Sequence, residues 1–246
     1  MIPKLFEDEN IIIVDKPAGL VVHPGAGEHS ETLTGWFTQN YPETTKFSWP
    51  DLKRPGIIHR LDKDTSGLII LAKNPRVLGK LQNLFQTKKV TKKYLALVFG
   101  KLEKEKGEIS GLIGRDPHAR RKQIAKEIHF DFEPGKVREA KTHYRVLKTF
   151  RCKVGKNAYD LTLIEAILDT GRMHQIRVHF KSIGHPLIGD QTYNIKHSRR
   201  VSKALGLNRQ FLHAYKLSFK NPFNNKIIDL ESPLPEDLNK IITRLQ

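Results

Sequence analysis

The chain has one cysteine, two methionines and two tryptophans in 246 residues. A lone Cys152 closes no intrachain disulfide and offers no paired thiols for a structural zinc site. That usage fits a reducing, cytoplasmic compartment. The histidines form no His-Glu-x-x-His pair, and His174 and His179 stand five apart, off a common helical face. No metal site is expected. Long apolar runs are missing as well: none approaches the roughly 20 residues of a membrane span, and no signal peptide opens the chain, so no membrane association is expected. Acidic residues are scarce, 26 against 43 Lys plus Arg, for a net charge of +17. An excess of that size implies a polyanionic partner. The basic residues are spread along the chain instead of lying on one amphipathic helix, which favours nucleic acid over anionic lipid.

A length of 246 residues allows one large domain or two modest ones. No repeat or low-complexity linker divides it, so a single domain over 1–246 is expected. Short apolar strands are predicted at 10–14 and 20–23, separated by the Pro17-Ala18-Gly19 turn, with a second turn at 24–27. Ser30 is expected to cap a helix ending before Pro42. Asn74, followed by Pro75, caps another, whose apolar face is Val77, Leu78, Leu81, Leu84 and Phe85. Strands are then expected at 93–99, 108–113, 141–147, 159–168, 212–218 and 227–230, with a basic hairpin or arm at 114–128. A helix over about 174–182 should bury Ile176, Phe180 and Ile183, and another follows Pro235. Hairpin-joined strands with few helices between them argue for an α+β fold: a large mixed, mostly antiparallel sheet with flanking helices.

The densest chemistry lies at Ile57-Ile58-His59-Arg60-Leu61-Asp62-Lys63-Asp64-Thr65-Ser66-Gly67. Two carboxylates and several cations interrupt an apolar context where burial would be costly. Taken alone, such a segment is a polar turn in which Asp62 or Asp64 bonds nearby amides. Two further segments stand beside it: Lys92-Lys93-Tyr94-Leu95-Ala96, and Gly171-Arg172-Met173-His174-Gln175-Ile176-Arg177-Val178-His179, followed by Gly184-His185-Pro186-Leu187-Ile188-Gly189-Asp190. Together with Val14-Asp15-Lys16-Pro17-Ala18-Gly19-Leu20 they resemble the RluA-type family of pseudouridine synthases, whose pattern includes H-R-L-D-x-x-T-S-G, K-x-Y-x-A and G-R-x-H-Q-I-R-x-H. The 22–27 turn and the basic segment around Arg115 are most similar to its RluD-like, ribosomal large-subunit branch. The resemblance implies a catalytic domain with a central active-site cleft, here without the small N-terminal RNA-binding domain usual in that branch.

The resemblance assigns Asp62 as the carboxylate that attacks or stabilises the substrate, Tyr94 as the group that takes the carbon 5 proton, and Arg177 as the cation that orients the carboxylate. An arginine suits that task because it stays charged and grips a carboxylate in a fork. Arg60 is associated in the family with filling the gap left when the target base leaves its stack; a flat cation can stack on bases and meet phosphate. His59, Thr65, Arg172, His174 and His179 are expected RNA contacts or supports, and Arg115, Arg120, Arg121 and Lys122 are expected to meet phosphate. The isomerisation transfers no group, so no cofactor is expected. The partner is RNA, ribosomal by preference, with transfer RNA as the alternative. Two readings from other classes stand beside it. One is a non-catalytic RNA-binding or ribosome-assembly protein. The other is a magnesium-dependent phosphotransferase of the haloacid dehalogenase type, whose D-x-D-x-T motif Asp62-Lys63-Asp64-Thr65 resembles.

Overall fold

The computed structural model describes residues 2–24, 31–116, 119–126 and 137–246, without the side chains of 116–122 and 126. Its chain forms two compact units, Met1–Lys92 with Ala214–Pro233, and Lys93–His213 with Leu234–Gln246.

In the first unit, β1 (Lys4–Glu7), β2 (Ile11–Lys16) and β3 (Ser66–Ala72) are neighbours in antiparallel order. β9 (Leu212–Lys220) follows β3 and pairs antiparallel with β10 (Ile227–Glu231). Ile11 to Val14 and Leu68 to Leu71 are buried on both faces, packed with Leu33 and Phe37 of α1 (Leu33–Asn40) and Val77, Leu78 and Leu81 of α2 (Pro75–Gln86). Burying one such side chain is worth about 1.5–3 kcal/mol. These strands therefore read as continuous apolar runs without alternation. α2 starts as expected: the Asn74 side chain accepts from Val77 N–H at 3.0 Å, and Pro75 takes the first position, where no donor is needed. The cap of α1 is Thr32, which accepts from Gly35 N–H. The expected cap Ser30 and turn residues Gly25, Ala26 and Gly27 lie outside the described residues. Residues 20–23 form only an isolated bridge, Val21 to Thr32, in place of the expected strand.

In the second unit an antiparallel sheet runs β4-β8-β7-β5-β6, made of β4 (Val90–Phe99), β8 (Asn157–Leu168), β7 (Val137–Val154), β5 (Lys106–Asp116) and β6 (Ala119–Lys126). Of the basic segment expected at 114–128 to be an arm or hairpin, the described residues belong to the antiparallel β5–β6 pair. β7 alternates as expected up to a register shift between Val146 and Lys148, and Leu147 within that shift is 41% exposed. α3 (Gln175–Ser182), α4 (Lys196–Leu205) and α5 (Glu236–Leu245) belong to this unit. Val201 and Leu205 of α4 and Leu238 and Ile241 of α5 close a core with Leu97, Phe150, Cys152 and Leu161. Ile183, expected inside, is 41% exposed, because α3 ends at Ser182 and the chain turns away. The β1–β2, β2–β3, β9–β10, β4–β8, β8–β7, β7–β5 and β5–β6 ladders are all antiparallel. That is the α+β class expected, and it removes the strand–helix alternation a phosphotransferase of the haloacid dehalogenase type would need. No helix among the described residues is long and apolar enough to cross a membrane.

Candidate active site

The Asp62 loop is held to the first unit by backbone and by two unusual side chains. Residues 56–59 run beside the C-terminal end of β3: Ile57 bridges Leu71, and Ala72 N–H donates to Gly56 O at 2.9 Å. Two residues earlier on β3, Ile70 N–H donates at 3.2 Å to Nε2 of His59, so the imidazole stands where a strand carbonyl would. The ring stacks on Phe85 at 4.8 Å and 24°, and Lys92 Nζ is 5.1 Å from that Phe85 ring. Burial and then the Lys92 charge hold the His59 pKa down to about 3. His59 is therefore neutral, and because Nε2 accepts, its proton is on Nδ1.

The second device is Lys16, fully buried. Its ammonium donates to the carbonyls of Pro17 at 2.8 Å, Leu20 at 2.9 Å and Lys63 at 2.9 Å, three acceptors for the three donors of a lysine. Lys63 O also accepts from Gly19 N–H at 2.9 Å. A buried ammonium is costly unless bonded in this way. The Pro17–Leu20 turn and the residue next to Asp62 are thus tied to one charge. Thr65 N–H donates to Asp62 O at 3.1 Å and closes the turn; Thr65 is buried, and Asp62 is only partly so. Gly67 ends the motif at φ +118°, and a Cβ there would stand 2.3 Å from Ala214 O, so only glycine lets β9 approach.

Arg60 is exposed, and its Nη1 donates to His23 Nε2 at 3.1 Å. His23 is itself buried, with Nδ1 donating to Pro24 O at 3.2 Å. Burial outweighs that carbonyl and, together with the Arg60 charge, lowers the His23 pKa. The neutral ring therefore holds the guanidinium by its lone pair.

In the second unit, Tyr94 is a buried β4 residue facing Ala166 of β8 across the ladder. Arg177, on α3, is buried and forks onto Asp190, Nε to Oδ2 at 2.7 Å and Nη2 to Oδ1 at 3.0 Å. Burial raises the Asp190 pKa, but the Arg177 bond and charge and the N–H groups of Tyr193 and Thr192 outweigh it, so the carboxyl lies below its usual range. The guanidinium carbon is 5.1 Å from the Tyr193 ring centroid. The Tyr193 hydroxyl accepts from Gln123 N–H at 2.7 Å and bonds His174 Nδ1 at 2.9 Å. His174 has φ +57° at the start of α3.

Gln175 anchors the same helix end. Its amide accepts from Thr170 Oγ1 and Arg172 N–H and donates to Lys141 O and Thr142 Oγ1. Thr142 Oγ1 also bonds His179 Nδ1 at 2.9 Å, and burial alone lowers the His179 pKa to about 4. Arg172 Nε donates to Glu139 O at 3.1 Å. Of the expected phosphate contacts, Arg115 is exposed on β5, and the side chains of Arg120, Arg121 and Lys122 lie outside the described residues. The structure thus joins His59 to β3, Arg60 to His23, and Arg177 and His174 to one network. His23, Asp190, Tyr193 and Gln175 had not been singled out from sequence. Lys16, Gln175 and Asp190 stand inside the quoted segments, and that placement is the one signal that could have found them.

Residues 10–182 match the family described as RNA pseudouridylate synthase. The chain belongs to that family. It is 42% identical, over 98% of its length, to the ribosomal large subunit pseudouridine synthase D of Nitrosomonas europaea, of which it covers 64%. It is 39% identical over 98% to an uncharacterised RNA pseudouridine synthase of Bacillus subtilis, of which it covers 72%. The chain therefore spans about two thirds of the length of these curated relatives. Among solved structures, human RNA pseudouridylate synthase domain containing 4 is similar at a TM-score of 0.72 and 25% identity, covering 99% of this chain and 92% of that one. Human RNA pseudouridylate synthase domain containing 1 reaches 0.71 at 22% identity, covering 100% and 94%. These two carry the same fold. Family membership leaves no place for the phosphotransferase reading.

Proposed function

We propose that the protein is an RNA pseudouridine synthase that acts in the cytoplasm on uridines of large-subunit ribosomal RNA, with residues 1–246 working as one catalytic domain. The observation that carries this reading is the H-R-L-D loop, a partly exposed carboxylate on a backbone fixed by Lys16 and His59, in a chain of this family. The ribosomal preference rests on the name of the Nitrosomonas relative. In the reaction the bond between N1 of uracil and C1′ of the sugar breaks and a C5–C1′ bond forms. The C5 proton leaves and N1 gains one, so atoms balance without a cofactor.

Asp62 supplies the attacking carboxylate. Tyr94 takes the C5 proton and offers its ring to the base. Arg177 supplies the positive charge of the site. Arg60, held by neutral His23, enters the gap left by the extruded nucleotide. The test is to incubate purified protein with transcripts of large-subunit ribosomal RNA and of transfer RNAs, then map pseudouridine by carbodiimide-induced stops. We expect new stops at defined ribosomal positions with the wild type and none with Asp62→Asn. Stops confined to transfer RNA would replace the substrate, and none on either RNA would overturn the enzyme reading.

A further inference from the structure

α4 carries an uncompensated basic stripe. Lys196, Arg199, Arg200 and Lys203 fall at i, i+3, i+4 and i+7, so they share one face about 10 Å long at 1.5 Å per residue. All four are exposed, while Ser198, Val201, Ser202 and Leu205 face the core. Among the described residues none of the four pairs with a carboxylate. Arg199 is instead held by a neutral group, its Nε and Nη2 at 3.1 and 2.8 Å from Asn194 Oδ1, which fixes the fork without cancelling its charge. The β7–β8 turn extends the patch. A Cβ on Gly155 would come within 3.3 Å of Arg200 Nη2, so Arg200 lies against that turn, whose Lys153 and Lys156 are also exposed.

This arrangement works against the helix. Like charges at i,i+3 and i,i+4 repel, and Lys196 stands in the first turn, where the helix dipole disfavours a cation and no acidic residue offsets it. Nothing in the packing needs these charges, because the buried face is made by other residues. A polyanion on the stripe would relieve both penalties.

We propose that the α4 stripe, with Lys153 and Lys156, binds the phosphate backbone of the RNA substrate as a contact additional to the catalytic loop. This rests on the RNA reading above, but it is tested by binding, not by turnover. The experiment measures affinity for a large-subunit ribosomal RNA transcript against salt. It compares wild type, the variant K196Q/R199Q/R200Q/K203Q, and a control of equal net charge, K101Q/K104Q/K220Q/K226Q, whose lysines are exposed elsewhere. Three to four phosphates at a slope of about −0.7 each make the α4 contribution about −2 to −3. Between 50 and 200 mM salt the wild type should then lose about 20- to 50-fold more affinity than the α4 variant. The control should keep a slope near that of the wild type. The melting temperature of the α4 variant should hold or rise, since repulsion is removed. A wild-type slope in the α4 variant would overturn the proposal. So would equal losses in the α4 variant and the control, which would mean a diffuse field and not a site. If the wild type bound RNA yet formed no pseudouridine, the functional reading would fail while this comparison stayed decisive.

Discussion

At the scale of single residues, Asp62 and Asp64 are two partly buried carboxylates two positions apart, and the backbone separates them. The 62–65 turn is closed through the Asp62 carbonyl, and Lys16 and Gly19 fix the carbonyl between them. Asp62→Asn preserves shape and removes the carboxylate proposed to attack, so pseudouridine formation should fall at least about a thousandfold with RNA affinity largely kept. Asp64→Asn should be far milder. Single-turnover rates on saturating RNA check both, and the opposite ranking would move the chemistry to Asp64. Tyr94→Phe keeps the ring in its strand and removes the hydroxyl. Affinity should change little while turnover drops about 100- to 10,000-fold, the range for losing a general base. A rate within about threefold of wild type, under 1 kcal/mol of barrier, would clear the phenol of that role.

At the scale of elements, α3 is set by buried polar groups as well as by its apolar residues. Gln175, Arg177 and His179 are all buried on it, each bonded to a neighbouring segment. Asp190→Asn would leave the Arg177 guanidinium buried against a neutral amide, and breaking a buried pair from one side costs about 3–5 kcal/mol. Equilibrium denaturation should show a loss of that order, and a change below about 1 kcal/mol would mean that the fork contributes little. Activity loss in Arg177 variants therefore has to be judged beside their stability. The same polar burial explains which elements were legible in sequence. α2 was, because Asn74, Pro75 and a regular apolar stripe announce it. β2 was, because it opens on the apolar run Ile11 to Val14. α4 was not: its buried face includes Ser198 and Ser202, the rest is mostly basic, and Ile195 offers no capping side chain. The N–H of Ile195 is taken instead by the Ser198 hydroxyl from inside the helix. β1 escaped because it is an exposed strand with lysine and glutamate at its ends. At the candidate site the motif residues were visible as types in a pattern. Their supports were not, because Lys16 meeting Lys63, or His23 meeting Arg60, is a long-range contact that spacing does not encode.

At the scale of the whole molecule, the histidines and carboxylates that folding shifts downward among the described residues push in one direction with pH. In the first unit His59 is held neutral with a pKa of about 3, and in the second His179 is held neutral at about 4, against 6.5 for an ordinary histidine. His23 is shifted the same way. For a depressed histidine the unfolded chain takes up a proton that the folded one refuses, so stability is full above pH 6.5 and is lost as pH falls towards the folded pKa. Each such group costs about 1.4 kcal/mol per pH unit in that window, so His59 and His179 should each remove about 2 kcal/mol between pH 6.5 and 5. The depressed carboxylates act lower. Glu7, at about 2 beside Lys4 and Lys73, and Asp190 stabilise above the ordinary carboxylate pKa and lose that contribution only as pH falls through their folded values. The interval from pH 6.5 to 5 therefore isolates the histidines. Urea unfolding at pH 7.5, 6.5, 5.8 and 5.0 should give a plateau followed by a decline of several kcal/mol. His179→Gln, which cannot titrate, should shrink the decline by about 2 kcal/mol whatever its own effect at pH 7.5. Stability that holds or rises down to pH 5 would show that His59 and His179 accept protons in place, and that burial does not keep them neutral.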